Sequence, residues 1–223
     1  MKSRFAIIMA AVFLAGSAFA DHYTREQLEQ KSKAELIGII LYLQDGGSGG
    51  GGGGGCREYN PLEGETGSIL TVVRNPGYSN HGTLKWPDGS VFMKRNSGYN
   101  NDKELYYPGG DVMVKRNSGY TNDQTVFWPN GATLLLRNNG YANDGSIFRA
   151  DRSVWLKRNR GYSDDRQRYG LPVEQFDAGD ASVRARLTDD DSVSSTTRVS
   201  GQGWSVEVTV TGPENDVVVR ECL

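Results

Sequence analysis

The side chains best placed to do chemistry in this 223-residue sequence are an arginine and a tyrosine that recur together. The motif Arg-Asn-x-Gly-Tyr occurs five times at a constant spacing of 21 residues. Its arginines are Arg74, Arg95, Arg116, Arg137 and Arg158, and its tyrosines are Tyr78, Tyr99, Tyr120, Tyr141 and Tyr162. Five copies without slippage define an internal repeat, which outranks any local motif as a guide to the fold.

The recurring tyrosines are candidate ligand-binding residues. If successive repeats are hairpins of one sheet, equivalent side chains lie two strand spacings apart, about 9.6 Å. Aromatic faces at this interval suit a repeating polymer such as a glycan. The alternative is that each ring covers the adjacent hairpin and closes the apolar face of the sheet. We expect this packing role, because the Gly-Tyr unit recurs with a turn and with an arginine that the strand alternation places on the buried face.

The recurring arginines share the parity of the apolar residues before them. Arg95 follows Val91 and Met93 on one face of the predicted strand, so its guanidinium lies at the end of the core and needs partners. Acidic partners are available in the Asn-Asp pairs Asn101-Asp102, Asn122-Asp123 and Asn143-Asp144, and the tyrosine ring offers a cation–π contact. We expect a structural clamp rather than ligand recognition.

Catalytic and metal chemistry have little support in the sequence. The two histidines are His22 and His81, and His81 takes the position that aspartate has in other repeats. Each Asn-Asp pair offers one carboxylate, whereas calcium takes six to eight oxygens. The acidic run Asp189-Asp190-Asp191 reads as a solvated loop. We predict a non-enzymatic protein without cofactor or metal, and keep a hydrolase built on paired carboxylates as the second alternative.

A second turn signal separates the tyrosine motifs. It reads Trp86-Pro87-Asp88-Gly89, Tyr107-Pro108-Gly109-Gly110 and Trp128-Pro129-Asn130-Gly131, with a degenerate version at Arg149-Ala150-Asp151-Arg152. Proline pre-sets the first turn dihedral and glycine takes the left-handed position, so each copy predicts a hairpin turn. Turn signals every ten or eleven residues leave room for two strands per repeat and no helix.

The apolar residues between these turns predict an antiparallel meander of nine or ten strands over residues 68 to about 162. One strand of each repeat carries a single apolar position, as at Leu84, and the other alternates, as at Val91 and Met93. The opposite face is then mixed, with lysines such as Lys94 beside Phe92, Met113, Leu134 and Trp155. An open sheet, a hairpin solenoid and a barrel remain as alternatives.

The aromatic-Pro-x-Gly turn in a repeat of just over twenty residues resembles the MORN-type hairpin repeats. The likeness is greatest to variants with paired aromatics before the turn, as in Tyr106-Tyr107-Pro108 and Phe127-Trp128-Pro129. It covers residues 68–162, and the Arg-Asn-x-Gly-Tyr element and the missing glycine spacing of the second strand depart from that family's pattern. The resemblance implies an elongated hairpin sheet used for assembly or binding, without enzyme chemistry.

The repeat stops after residue 170, and the remaining chain still alternates as strands do. Val183, Ala185 and Leu187 form one apolar series, and Trp204, Val206, Val208 and Val210 form another. Repeat arrays need capping elements at their ends. We therefore predict a mainly β fold, with an antiparallel array of 21-residue β-hairpin repeats over residues 56–170 and a C-terminal β cap over residues 171–223.

The segment before the array has three parts. Residues 1–20 combine Lys2 and Arg4, an apolar run and Ala18-Phe19-Ala20, which is typical of a secretory signal peptide. Residues 21–45 read as a short helical head, and residues 46–55, glycine except Ser48, as a flexible linker. We expect no membrane span in the mature chain, and periplasmic, cell-surface or secreted localisation.

Cys56 and Cys222 are the only cysteines of the sequence, and we expect them to form a disulfide. Oxidation is normal for exported proteins. Cys56 follows the linker and Cys222 precedes the last residue, so the bond encloses the whole predicted β body and excludes the head.

These observations predict a structural or adhesive cell-envelope component, and the first alternative is a glycan-binding module that uses the tyrosines. The formal net charge of -2 and the expected export both argue against nucleic-acid binding. The candidate partners are another copy of the chain, through the helical head, and an envelope glycan or protein.

The apolar surface of the head has three possible partners: the body of the same chain, other copies of the head, or another protein. If the body does not bury it, the head should self-associate. Analytical ultracentrifugation of the mature chain against a version starting at Cys56 measures this. A larger mass for the mature chain supports self-association, and equal monomeric masses contradict it.

Overall fold

The computed structural model describes residues 55–179 and 181–223. The predicted signal peptide, the helical head and the linker up to residue 54 lie outside the described residues, so these assignments stay predictions. Within the described residues, no helix is long and apolar enough to cross a membrane.

The described chain is built almost entirely of β-strands. It begins with β1 (Cys56–Tyr59) and a short 3₁₀ helix (Pro61–Glu63). Ten short strands follow: β2 (Thr71–Val73), β3 (Thr83–Lys85), β4 (Val91–Met93), β5 (Leu105–Tyr106), β6 (Val112–Val114), β7 (Val126–Phe127), β8 (Thr133–Leu135), β9 (Ile147–Phe148), β10 (Val154–Lys157) and β11 (Gln167–Arg168). Five longer strands complete it: β12 (Val173–Ala178), β13 (Ala181–Leu187), β14 (Val193–Gly201), β15 (Trp204–Gly212) and β16 (Asp216–Cys222).

The strands form two antiparallel sheets, which confirms the predicted mainly β fold. Strands β2 to β11 pair in chain order as one ten-stranded meander. The other sheet, here called the cap sheet, has six strands in the order β1-β16-β15-β14-β13-β12. Both orders end in edge strands, so each sheet is open. The first strand of the predicted array, β1, belongs to the six-stranded sheet, because it pairs with β16 rather than with β2.

The hairpin turns lie where the Pro-x-Gly signals predict them. In the first, the amide of Gly89 donates to the carbonyl of Trp86 at 2.9 Å, and Gly89 has φ +87°. A side chain at this residue would be strained, because L-residues rarely adopt that backbone conformation. The degenerate turn forms as well: the Arg152 amide donates to the Arg149 carbonyl at 2.9 Å.

Each of the four hairpins β3–β4, β5–β6, β7–β8 and β9–β10 contains a β-bulge that the apolar pattern does not predict. Leu84 pairs with Met93 and Lys85 with Val91, so Phe92 is an extra residue on its strand. Phe92 is 0% exposed and Met93 is 2% exposed. The same register shift recurs in the next three hairpins. The prediction that Phe92, Met113, Leu134 and Trp155 lie on a mixed outer face is therefore wrong, since all four are buried.

The core lies between the two sheets. Val206, Val208 and Val210 of β15 are buried, as the alternation predicts, and form one hydrophobic cluster with the buried residues of the meander. The sheets approach closely at Gly212, where an added Cβ would lie 2.3 Å from Leu135 Cδ2. The rings of Trp128 and Phe176 meet at a centroid separation of 6.3 Å.

The first side chain of each hairpin turn also joins one repeat to the next. Trp86 Nε1 donates to the carbonyl of Tyr106 at 3.0 Å, the Tyr107 hydroxyl to Phe127 at 2.8 Å, and Trp128 Nε1 to Phe148 at 3.0 Å. In the degenerate turn, Arg149 Nη2 donates to the Tyr169 carbonyl at 3.0 Å. Every bond spans 20 residues, so three donor types occupy one structural position.

Two contacts join the start of the array to the last strand of the cap sheet. The predicted disulfide is present: Cys56 and Cys222 pair across β1 and β16 with an S–S distance of 2.05 Å. Next to it, the buried carboxylate of Glu221 accepts hydrogen bonds from the amides of Ser68, Ile69 and Leu70 at 2.6, 2.8 and 2.9 Å, and from the Tyr59 hydroxyl at 2.8 Å.

The buried Glu221 carboxylate affects two residues that lie next to it. A Cβ on Gly67 would lie 2.1 Å from Glu221 Oε2, so only glycine fits there. Burial, and then the charge of Glu221, raise the pKa of Tyr59, which keeps its hydroxyl protonated as a donor.

We expect Glu221→Gln to lower the free energy of unfolding by about 2–4 kcal/mol, because an amide NH2 then faces buried backbone donors. The matched control is Glu207→Gln on the neighbouring strand. Glu207 is partly exposed and lies 3.8 Å from Arg198, so its change should stay below about 0.5 kcal/mol. Urea unfolding of the oxidised protein measures both, and equal losses would show that Glu221 has no special role.

Candidate functional site

The five recurring tyrosines lie on five equivalent loops, here called the tyrosine loops. These loops connect the strands of the meander on the side opposite the hairpin turns. These loops join β2 to β3, β4 to β5, β6 to β7, β8 to β9 and β10 to β11. In the second, the Tyr99 amide donates to the Asn96 carbonyl at 3.0 Å and the Asp102 amide to the Tyr99 carbonyl at 3.2 Å. The same two turns occur in all five loops. Each tyrosine is therefore presented by the same backbone conformation.

An aspartate side chain holds the second tyrosine loop by accepting two hydrogen bonds. Asp102 Oδ1 accepts from the Asn96 amide at 2.7 Å and from Arg95 Nε at 3.2 Å. The corresponding arginine–aspartate distances are 3.1 Å for Arg137 and Asp144, and 3.2 Å for Arg158 and Asp165. Three of the five arginines are thus clamped by an aspartate, and two of these aspartates belong to the Asn-Asp pairs that the sequence suggests.

The other two arginines of the motif differ. Arg116 Nε is buried and, within the described residues, has no hydrogen-bond partner. Burial lowers the pKa of Arg116, and the charge of Asp123 acts in the opposite direction. Arg74 is exposed, and its loop has His81 where the others have aspartate.

Successive tyrosine loops are joined to each other by backbone hydrogen bonds. The residue after each tyrosine offers its carbonyl to the third residue of the next motif. The bonds run from Ser97 to Ser79 at 3.0 Å, from Ser118 to Asn100 at 2.9 Å, from Asn139 to Thr121 at 2.9 Å and from Arg160 to Ala142 at 3.0 Å. The tyrosines therefore stand in one row, with a spacing of about two strands, or about 9.6 Å.

The tyrosine rings of this row point into solvent. Tyr78, Tyr99, Tyr120, Tyr141 and Tyr162 are between 60% and 69% exposed. This differs from the packing role expected from the sequence. The core-forming aromatics are those of the hairpin turns and bulges, such as Tyr107 and Trp155, which are fully buried. An aromatic residue next to a turn has the same local sequence pattern whether its ring packs in the core or is exposed. The sequence alone therefore does not separate these two cases.

The surface around the row is polar and largely uncharged. The residues that flank the tyrosines are mostly exposed small or amide side chains, with two exposed arginines: Arg74, Ser79, Ser97, Asn100, Ser118, Thr121, Asn139, Arg160 and Ser163. Amides also tie the loops, since Asn96 Nδ2 donates to Asn101 Oδ1 at 2.8 Å and Asn100 Nδ2 to Asn117 Oδ1 at 3.0 Å. Such a surface offers aromatic faces, hydroxyls and amides to a ligand.

Two residues of the acidic run outside the row are engaged in structural contacts. Asp191 Oδ1 accepts from Arg168 Nε at 3.0 Å, which joins the cap sheet to β11. Hydrogen bonds from the Thr188 and Ser192 side chains lower the pKa of Asp190. Within residues 55–179 and 181–223, no group of three or more His, Cys, Asp and Glu side chains could hold a metal ion.

Comparison of the chain with protein-family models, with curated proteins and with solved structures finds no match. The resemblance to MORN-type repeats thus stays a prediction.

Alanine variants of one buried and one exposed tyrosine of the array test whether the tyrosine row is exposed. We expect Tyr107→Ala to lower the free energy of unfolding by about 3 kcal/mol or more, because it removes a buried ring. Tyr120→Ala should change it by less than about 0.5 kcal/mol, because that ring is exposed. Thermal and urea unfolding measure both, and a large loss for Tyr120→Ala would contradict the exposed row.

Proposed function

We propose that this chain is an exported, non-enzymatic glycan-binding protein that holds an extended polysaccharide along its row of five tyrosines. The observation that carries the proposal is the exposure of all five rings on loops that share the same two turns. Large aromatic side chains that are exposed together on a soluble protein mark an interaction site. Their regular spacing favours a ligand that is itself periodic.

The chemistry of the row favours sugars over nucleic acids. A nucleic acid needs a concentrated basic surface, but Arg95, Arg137 and Arg158 are each neutralised by an aspartate. A tyrosine ring presents an apolar face for the C–H side of a sugar, and the neighbouring hydroxyl and amide groups provide hydrogen bonds for its hydroxyls. The loops are already ordered by backbone bonds, which lowers the entropic cost of binding.

Repetition gives this surface an adhesive character. Five equivalent subsites of the protein that bind the same polymer act as linked modules, so their individually weak contacts add up to firm attachment. This agrees with the structural or adhesive envelope role predicted from the sequence. The disulfide is compatible with an oxidising compartment, and export through residues 1–20 is part of the same proposal.

Polysaccharide binding by tyrosine variants tests the proposal. Affinity electrophoresis in gels that contain soluble cellulose, chitosan or solubilised peptidoglycan measures the dissociation constant. We expect each of Tyr99→Ala, Tyr120→Ala and Tyr141→Ala to weaken binding of the preferred polymer about fivefold, equivalent to about 1 kcal/mol, and combined variants to weaken it further.

The matched control is Tyr169→Ala, since Tyr169 is an exposed tyrosine of the array outside the row. It should leave the affinity unchanged. If the three variants of the row bind every polysaccharide as the unmodified protein does, or if no polysaccharide is retarded, the tyrosine row is not a glycan site.

A further inference from the structure

A cavity of about 350 Å³ opens at the first tyrosine loop, beside Tyr78. This volume lies within the range of small-molecule sites. Its polar lining includes Glu65, Arg74, His81 and Arg95, and its apolar lining includes Leu84 and Met93. It is therefore a recess at one end of the tyrosine row, with an exposed aromatic ring at its rim.

The first repeat differs from the others in the group that holds its loop. His81 Nδ1 accepts from the Asn75 amide at 3.0 Å, in the way that Asp102 Oδ1 accepts from the Asn96 amide at 2.7 Å. The histidine thus replaces the aspartate as acceptor but brings no negative charge. Because Nδ1 accepts, the ring proton is on Nε2, which remains a donor.

This replacement leaves Arg74 without the carboxylate that the other clamped arginines have. Arg95, Arg137 and Arg158 each lie within 3.2 Å of an aspartate. Arg74 is exposed, and no group among residues 55–179 and 181–223 forms a hydrogen bond or ion pair with its side chain. The carboxylate of the cavity lining, Glu65, accepts from the Asn60 amide at 2.7 Å.

We propose that this cavity binds a carboxylate of an acidic sugar, such as a uronic acid, in the polymer that lies along the tyrosine row. The carboxylate takes the place of the missing aspartate: the planar guanidinium of Arg74 holds it as a charge-assisted partner, and His81 Nε2 donates to it. The sugar ring lies against Tyr78. The source of the carboxylate rests on the proposed function, whereas the site itself rests on Arg74 and His81.

Matched acidic and neutral oligosaccharides test the inference. Oligogalacturonate and the same oligosaccharide after carboxyl reduction differ only at C6, where a hydroxymethyl group replaces the carboxylate, and isothermal titration calorimetry compares their affinities. We expect the unmodified protein to bind the acidic form about tenfold more tightly. His81→Asp should remove this preference, because it restores the residue of the other loops and supplies Arg74 with an internal carboxylate. Arg74→Gln should remove it as well.

The control is Arg198→Gln, an exposed arginine of β14 in the six-stranded sheet and outside the tyrosine loops, which should keep the full preference. Unchanged thermal melting of the variants shows that the fold is intact. Equal affinity of the unmodified protein for the two oligosaccharides overturns the carboxylate site. If binding still depends on Tyr99 and Tyr120, the proposed function stands without it.

A second measurement decides the site even if neither oligosaccharide binds, which would count against the proposed function. In an NMR titration with glucuronate, with glucose as the neutral control, the Nε–H signal of Arg74 should shift with glucuronate alone. The shift should disappear in His81→Asp. Absence of a shift, or an equal shift with glucose, overturns the inference.

Discussion

The structure depends on one constraint: the strands of the meander have only two to four residues each. So few backbone hydrogen bonds between neighbours do not hold a ten-stranded sheet, and side chains supply the rest. At one end of the sheet, Trp86 and its equivalents donate to a carbonyl 20 residues onward. At the other end, Asp102 and its equivalents accept from the tyrosine loop. The strict 21-residue period follows, because each donor must meet the same carbonyl in the next repeat.

The second sheet solves the problem of covering such an array. Its inner face is mostly apolar, and it is attached to the meander just before the first strand, β2, and at the last strand, β11. At one end Glu221 binds three consecutive amides before β2, and at the other Arg168 of β11 binds Asp191. In the middle, Asn215 Nδ2 donates to the carbonyl of Gln124 at 2.5 Å. Polar and charged groups at these junctions fix the position of one sheet on the other, which apolar contact alone does not specify.

Much of this architecture is readable from local sequence, because the relevant signals are local. The turn at Gly89, the alternation of Val206, Val208 and Val210, and the Cys56–Cys222 bond follow from residue type and spacing. The bulge at Phe92 does not, because an inserted residue breaks the period on which strand prediction relies. The role of Glu221 is equally hidden, since its amide partners are about 150 residues away along the chain. For the tyrosines, the spacing was predictable and the exposure was not.

The attachment of the cap sheet at both ends also limits how this protein can evolve. Repeat arrays commonly gain and lose whole units, because each unit contacts only its neighbours. Here an added 21-residue unit would move Arg168 away from Asp191, or Leu70 away from Glu221, and would leave apolar residues beyond the covering sheet. Duplication of a repeat therefore requires a matching gain of strands in the cap. The size of the six-stranded sheet therefore limits the number of repeats, and with it the number of tyrosines in the exposed row, to five.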